Sequence, residues 1–497
     1  MTTISNTDLS PLPAGQFRIY RREGQYAQRS RAENARLFQV GDYVVECDEL
    51  LRVSSLKDEH NNIQGLVLGY AFVAASTEPL SSRHFTDFFS STDQAHSLEL
   101  LFEQLFGAFI LILNVDGKTY VYLDADGCLS AVYSQELDIV GSTAAALLAP
   151  GEYESRFRRD LYARLDVAHE GWFPSGLTAH HGVSRLLCNH RLDLDDLSAE
   201  RHWPTIAPVR SSNKDASLNE LAAATRDNLN CVFTNFRPAL ALSGGADSRA
   251  LLSLSRHRRE QITTYVVNPG TTNEDMDVCV SSEVARRAGI KHKLVSPLPD
   301  DPAIEKRWHF RGGHAMGGNI ARTHTALSHL TDFDTVIEGF GAEVARHFFW
   351  RSADTADMVV TGEMIVQRFG MPVEQELVAA TDKWLEHVPR GDAFFVLDLA
   401  YLELRSSAWC YAQSYADPSL LHFSPFISRR AFKAMFEMPL SVKNGLPFSK
   451  EFVLANWPEL ASIPYNRFGD YRDLIRVGRK LTKLHLIQKK LRKVLAR

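Results

Sequence analysis

The chain has 497 residues, 45% of them hydrophobic, and a formal net charge of −5. That length and composition suit two or three globular domains with sizeable cores and exclude a disordered or fibrous protein. The weakly acidic balance offers no overall field to a polyanion, so nucleic acid is not expected as a partner. The six cysteines, Cys47, Cys128, Cys188, Cys231, Cys279 and Cys410, are scattered without a Cys-x-x-Cys pair and read as reduced, mostly buried thiols of a cytoplasmic protein. The opening residues lack a basic leader with an apolar core, and no apolar run is long enough for a bilayer, so neither export nor a membrane span is expected.

The first two hundred residues read as short strands between turns, at 17–20, 43–46, 66–73, 108–113, 119–123 and 129–133, with helices at 97–106 and 143–148. This mixture predicts α+β layers. A polar, proline-bearing stretch at 203–214 breaks the pattern and is read as a linker, which divides the chain into 1–208 and 209–497. Beyond it the alternation changes: helix 218–233, strand 239–242, helix 248–258, strand 262–267, helix 276–288 and strand 335–337. Strands that are apolar throughout and separated by helices predict an α/β fold with a parallel, doubly wound sheet covered on both faces. From Glu363 onward the pattern is helical with interleaved aromatic residues. The basic tail 476–497 carries Leu481, Leu484, Ile487, Leu491 and Val494 at nearly helical spacing. It is expected to dock on the protein's own surface, with an acidic partner or a membrane face as the alternative.

The most informative stretch is Ser243-Gly244-Gly245-Ala246-Asp247-Ser248, directly after the apolar run Pro238-Ala239-Leu240-Ala241-Leu242. A buried strand that ends in paired glycines and enters a helix presents backbone N–H groups and a helix N-terminus to an anion. The loop lacks the Gly-Lys-Ser/Thr ending of a Walker P-loop, which argues against ordinary γ-phosphate release. It resembles the pyrophosphate loop of the N-type ATP pyrophosphatases. A second glycine turn, Glu338-Gly339-Phe340-Gly341-Ala342-Glu343, follows the strand at 335–337. Two such turns facing one nucleotide suit ATP with Mg2+, for which Asp247 and Glu343 are hard oxygen ligands of the right kind.

These motifs resemble the synthetase domain of asparagine synthetase and its relatives, β-lactam synthetase and the lasso-peptide cyclases. Further likeness lies in Phe423-Ser424-Pro425-Phe426-Ile427-Ser428 and in the stretch 439–454, where Lys450 falls at the place of the family's pyrophosphate-facing lysine. The resemblance implies an ATP pyrophosphatase fold with a helical C-terminal part. It also implies a two-step reaction in which a small-molecule or peptide carboxylate is adenylated and an amine or ammonia then displaces AMP. Ser243, Gly244, Gly245, Asp247 and Ser248 would serve the pyrophosphate, Gly339 and Gly341 would shape the second turn, and backbone near Leu242, Val267 and Gly339 would hold the adenosine. Asp247 and Glu343 would bind Mg2+. Lys443 competes with Lys450 for the cationic role. Phe340 stands where the family has a glutamate, so Glu403 becomes the candidate base, although it reads equally as one acid of a charged helix face. His309, His314 and His324 are candidates to line an acceptor pocket and read alternatively as ordinary loop and helix histidines, since they lack metal-ligand spacing.

The N-terminal half has its own resemblance. Phe106-Gly107-Ala108-Phe109-Ile110-Leu111 and Val121-Tyr122-Leu123-Asp124-Ala125-Asp126-Gly127 resemble the core of class II glutamine amidotransferase domains, which implies an Ntn-hydrolase-like sandwich. Residues 171–176 and 201–204 resemble the segments that precede the synthetase domain in this family. Those glutaminases use an N-terminal cysteine whose α-amine is the base, whereas the first cysteine here is Cys47 and Thr2 lies far from the first strand. Glutamine hydrolysis is therefore expected to be absent. The leading expectation is an AMP-forming amide synthetase, for natural-product or glycan tailoring, and a homodimer is compatible with it. The alternatives are an ammonia-using asparagine synthetase, a tRNA-modifying pyrophosphatase and an inactive binding protein that keeps the fold.

Overall fold

The computed structural model describes residues 11–24, 26, 35–268, 275–316, 319–444 and 447–475. Thr2 and the basic tail 476–497 lie outside the described residues. The amino-terminal strands are β1 (Phe17–Arg21), β2 (Arg36–Val40), β3 (Tyr43–Cys47), β4 (Val53–Lys57), β5 (Ile63–Val73), β6 (Glu78–Pro79), β7 (Leu105–Val115), β8 (Lys118–Leu123), β9 (Val132–Ser134), β10 (Ile139–Gly141), β11 (Ser184–Arg185), β12 (His190–Asp193) and β13 (Ala199–Arg201). They form two antiparallel sheets, ordered β11-β9-β10-β1-β3-β2 and β13-β12-β8-β7-β5-β4, with β6 paired to β5.

Strand β7 shows why the layers stack. Its side chains alternate between two cores, as a period of two requires. Ile110 and Ile112 enter the core shared with Phe17, Ile19 and Val45 of the facing sheet. Phe109, Leu111 and Leu113 enter a second core beneath the helix Gln94–Gln104, with Leu98, Leu101 and Phe102. The predicted helix at 97–106 stops at Gln104, because Leu105 and Phe106 already pair with Val73 and Phe72 of β5. The strand expected at 129–133 begins only at Val132, since Leu129 belongs to a tight turn held by Asp124.

The carboxy-terminal strands are β14 (Pro238–Ala241), β15 (Thr263–Val267), β16 (Lys291–Val295), β17 (Thr335–Ile337) and β18 (Leu421–Phe423). They make one sheet in the order β16-β15-β14-β17-β18, parallel at every pairing. Ala239 and Val336 face one core with Leu327 and Leu330, while Leu240 and Ile337 face the other with Leu251, Leu252 and Val284. Both faces are therefore covered, which accounts for the uninterrupted apolar runs. The winding reverses between β14 and β17, and the carboxyl ends of these neighbours form the crevice where open α/β sheets receive ligands. The second core continues without a break into the antiparallel half through Phe72, Phe106, Trp172 and Phe173. No described helix is long and apolar enough to cross a membrane.

A histidine cluster lies where the two halves meet. The ring of His180 lies tilted over Tyr153 at 4.2 Å and 6.4 Å from His314, which is parallel to His309 at 5.7 Å. Neither ring nitrogen of His180 has a hydrogen-bond partner, and burial pushes its pKa down to about 3. Unfolded, the ring takes its proton near pH ~6.5, so the stability from keeping it neutral is complete above that value and is lost as pH falls toward 3. His180→Phe is expected to reduce the fall in urea midpoint between about pH 7 and 4.5 relative to wild type. An unchanged pH dependence would show that His180 contributes nothing to it.

Candidate functional site

The two glycine turns leave adjacent strands at the point where the winding reverses, and they touch. A Cβ placed on Gly339 would stand 3.4 Å from Asp247 Cβ and 3.5 Å from Ser248 N. Gly341 has φ +87°, and a Cβ there would meet Ile427 Cγ1 at 2.8 Å. Both conformation and space therefore demand glycine at this position. Leu242, Val267 and Gly339 all lie at the carboxyl edge, just beyond or at the ends of β14, β15 and β17.

Within the first loop, Ser248 Oγ accepts from Ser243 N–H at 3.1 Å and Ser243 Oγ accepts from Gly245 N–H at 3.1 Å. Gly244 N–H donates to Asp277 Oδ1 at 2.7 Å. The glycine amides expected to be free for an anion are therefore engaged inside the protein, a correction to the sequence reading. The free donors move one step along the chain. Gly245 is the N-cap of the helix Ala246–Leu254, so the first-turn amides of Ala246, Asp247 and Ser248 have no intrahelical acceptor.

The carboxylates of Asp247 and Glu343 converge on one cation. Arg346 Nη2 lies 2.8 Å from Asp247 Oδ2 and 2.9 Å from Glu343 Oε1. The other oxygen of each, Asp247 Oδ1 and Glu343 Oε2, is buried with no hydrogen-bond partner, as is Arg346 Nε. Burial raises both carboxyl pKa values, Arg346 opposes the shift, and Asp247 raises Glu343 further. Two buried acceptors of hard-oxygen type beside a helix N-terminus fit Mg2+, which characteristically takes one or two carboxylates and leaves its remaining positions to phosphate oxygens and water.

Lys450 stands on the helix packed against the loop's own helix, whereas Lys443 is engaged elsewhere. Lys450 stands in the first turn of the helix Phe448–Asn456, its Nζ 4.9 Å from the Tyr465 ring centroid, with no carboxylate paired to it among the described residues. Ser449 beside it bears on Asp247. The same ring stacks on the guanidinium of Arg249 at 3.9 Å. Arg249 is wholly buried and donates to the carbonyls of Leu460, Ile463 and Pro464 at 3.2, 2.8 and 3.0 Å, while Asn466 N–H donates to Gly244 O at 2.8 Å. Lys443, in contrast, is buried against Asp398 and donates to Val344 O at 3.0 Å.

Glu403 is not a base at this site. It lies in a π-helical turn, Tyr401–Ser406, and is fully buried. Arg201 donates to both its oxygens at 2.6 and 2.7 Å, Asn189 Nδ2 to one at 3.1 Å and Trp384 Nε1 to the other at 2.6 Å. Burial disfavours the charge, but Arg201 outweighs it and holds the carboxyl below its ordinary range. An acid with its oxygens engaged and its pKa depressed is a poor proton acceptor. Its role is to tie the two halves together. The histidines are likewise occupied elsewhere: His309 and His314 in the aromatic cluster above, and His324 stacked on His422 at 5.2 Å with Asp417 3.4 Å away.

Arg346, Asp277, Arg249 and Tyr465 escaped the sequence reading. Only Arg346 had a local signal, its spacing of three from Glu343.

No protein-family model matches this chain, and no curated protein does. Among solved structures it is similar to the NMN synthetase of Francisella tularensis, at 15% identity over 41% of this chain and 94% of that one, with a TM-score of 0.20. The NH3-dependent NAD synthetase of Campylobacter jejuni subsp. jejuni gives 10% identity over the same shares, 41% and 94%, with a TM-score of 0.20. A structure described as the allosteric regulatory enzyme of purine biosynthesis gives 12% over 57% and 75%, with a TM-score of 0.23. Likeness this loose decides neither family nor chemistry, which must come from the site itself.

Glu403→Gln leaves the buried Arg201 facing a neutral amide and is expected to cost about 3 kcal/mol in denaturant unfolding. A loss under ~0.5 kcal/mol, the scale of an ordinary surface substitution, would refute its role as a tie.

Proposed function

We propose that this chain is an ATP-dependent amide synthetase that forms AMP and pyrophosphate. It adenylates a carboxylate of a small molecule or peptide and passes the acyl group to an amine or ammonia. The observation that carries this reading is the pair of touching glycine turns at the reversal of a parallel sheet, each delivering one half-buried carboxylate to a shared point. The antiparallel half is read with it as a sandwich of the Ntn-hydrolase type that no longer hydrolyses glutamine. Burial pushes the Cys47 and Cys231 thiols to about 12 and Cys188 well above its usual range, which is the opposite of what an attacking thiolate needs.

In the first step a substrate carboxylate oxygen bonds to the α-phosphorus and the bridge to the β-phosphorus breaks, so negative charge grows on pyrophosphate. The first-turn amides of Ala246 to Ser248 and the ammonium of Lys450 would stabilise that charge. Arg346 Nε is a further buried donor with no partner of its own. Asp247 and Glu343 would hold Mg2+, which when bound neutralises phosphate oxygens. In the second step the amine nitrogen bonds to the acyl carbon, AMP leaves and the amine gives up a proton.

One observation favours a second reading, that of a nucleotide-binding protein without turnover: Gly244 and Gly245 are already satisfied within the loop. Exchange of labelled pyrophosphate into ATP, driven by a panel of carboxylates, separates the two. Carboxylate-stimulated exchange is expected in wild type and should fall about 100-fold in Asp247→Asn, the scale of losing one transition-state contact. Mg·ATP binding without exchange would support the second reading, and failure to bind Mg·ATP would end both.

Arg346 supplies a further prediction. It competes with a divalent cation for the same carboxylates, so Arg346→Met is expected to tighten Mn2+ binding to the nucleotide-free protein roughly tenfold, about one pKa unit of lost competition. Paramagnetic titration reads this directly, and unchanged or weaker binding would show that the carboxylates do not hold the ion.

A further inference from the structure

A second group of side chains of metal-ligand type lies where the turn after β8 meets the helix Ser407–Ala416. The turn is fixed by Asp124, whose carboxylate accepts from the N–H groups of Phe109, Asp126, Cys128 and Leu129 at 3.1, 3.2, 2.9 and 3.0 Å. Gly127 within it has φ +66°. This geometry turns Asp126 and Cys128 toward Cys410 on the helix. One ligand atom from each of Asp126, Cys128 and Cys410 lies within 4.8 Å of the others. The sequence shows no such site, because the two thiols are separated by hundreds of residues and share no spacing motif.

Asp126 is fully buried. Its Oδ2 accepts from Ser406 Oγ at 2.7 Å and faces Cys410 Sγ at 3.3 Å, while its Oδ1 has no hydrogen-bond partner. An unpartnered carboxylate oxygen in a buried site is costly unless a cation or donor answers it. Arg185 is also buried; its Nη1 donates to Ser407 Oγ at 3.0 Å and its Nη2 has no partner. It contributes one positive charge that Asp126 feels. Two thiolates and a carboxylate would carry three negative charges, and a dication together with Arg185 balances them.

We propose that Asp126, Cys128 and Cys410 bind one zinc ion, which clips the antiparallel half of the protein to the helix Ser407–Ala416. Two sulfurs and one oxygen suit zinc, a borderline ion, and disfavour Mg2+ or Ca2+, which select oxygen. Zn–S bonds of about 2.3 Å at a tetrahedral angle put two sulfurs roughly 3.8 Å apart, so the ligand atoms need only a small contraction. On binding, Cys128, Cys410 and Asp126 each bind through the deprotonated form, their acidic protons pass to solvent, and the ion takes their place. Neither Cys128 nor Cys410 is fully buried as a residue.

The test uses the full chain, expressed with zinc in the medium and purified under reducing conditions without metal-affinity resin. Elemental analysis is expected to find about one zinc per chain. Cobalt added to the metal-free protein should give a thiolate-to-cobalt charge-transfer band and strong tetrahedral d–d bands. Cys128→Ser and Cys410→Ser should each abolish the charge-transfer intensity of the site, whereas Cys279→Ser, which alters an exposed thiol, should retain it. Folded wild-type protein with all six thiols free that takes up neither ion would overturn the proposal. So would cobalt bands that survive both substitutions, or peptide mapping that finds Cys128 linked to Cys410 as a disulfide.

Discussion

Two half-buried carboxylates that share one nitrogen of Arg346 set the terms for the whole carboxyl edge of the parallel sheet. Burial raises both carboxyl pKa values, and the charge of Asp247 raises that of Glu343 further. A cation must therefore stand at this point for the pair to stay ionised. Arg346 does so through a single nitrogen rather than through the bidentate fork that suits guanidinium best. Its Nε is left without a partner, as are the second oxygens of Asp247 and Glu343. Two free acceptors and one free donor, all buried, make an ion pair only half satisfied, and such sites in native proteins usually serve a ligand or chemistry. A divalent ion answers the acceptors and a phosphate oxygen answers the donor.

The surrounding structure holds this point still. Ser243, Ser248 and Asp277 consume the hydrogen bonds that would otherwise let the glycine loop change shape. From beneath, Arg249 gathers three carbonyls of the segment 460–464 and stacks on Tyr465, whose other neighbour is Lys450. One buried guanidinium thus sets the loop, the last described segment and the free lysine in mutual register. Rigid placement of donors and cations before charge develops is what makes such groups effective, because no reorganisation is required as the reaction proceeds.

What the sequence disclosed follows from what is local. Both glycine turns were legible because strand, glycines and carboxylate fall within a few residues of each other, and the uniformly apolar runs of β14, β15 and β17 announced a parallel sheet covered on both faces. Strand β16 was not, since Lys291-His292-Lys293 lies at the sheet edge, where polar side chains are tolerated and the apolar signal is lost. Strand β18 is three residues long and carries no period. Glu403 looked like an acid on a helix face because its defining partner, Arg201, is 202 residues away. Asp277 and Arg249 are hidden for the same reason: each acts through a contact that only the fold creates.

The same reasoning explains a motif in the antiparallel half. In Asp124-Ala125-Asp126-Gly127, Asp124 gathers four backbone N–H groups on one carboxylate and is completely buried. Desolvation raises its pKa to about 6 even against those bonds. Replacing such a residue would strand four amides at once. The turn also positions Asp126 against Ser406 across the contact between the two halves. With Arg201 and Asn189 on Glu403, and Arg185 on Ser407, that contact is polar at its centre while apolar residues continue through the surrounding core. Apolar area makes such a contact strong without making it particular, whereas buried polar pairs tolerate only one alignment. The antiparallel half thus acts as a fixed wall against which the π-helical turn Tyr401–Ser406 is set, and that turn in turn carries Tyr401 to the side of Glu343.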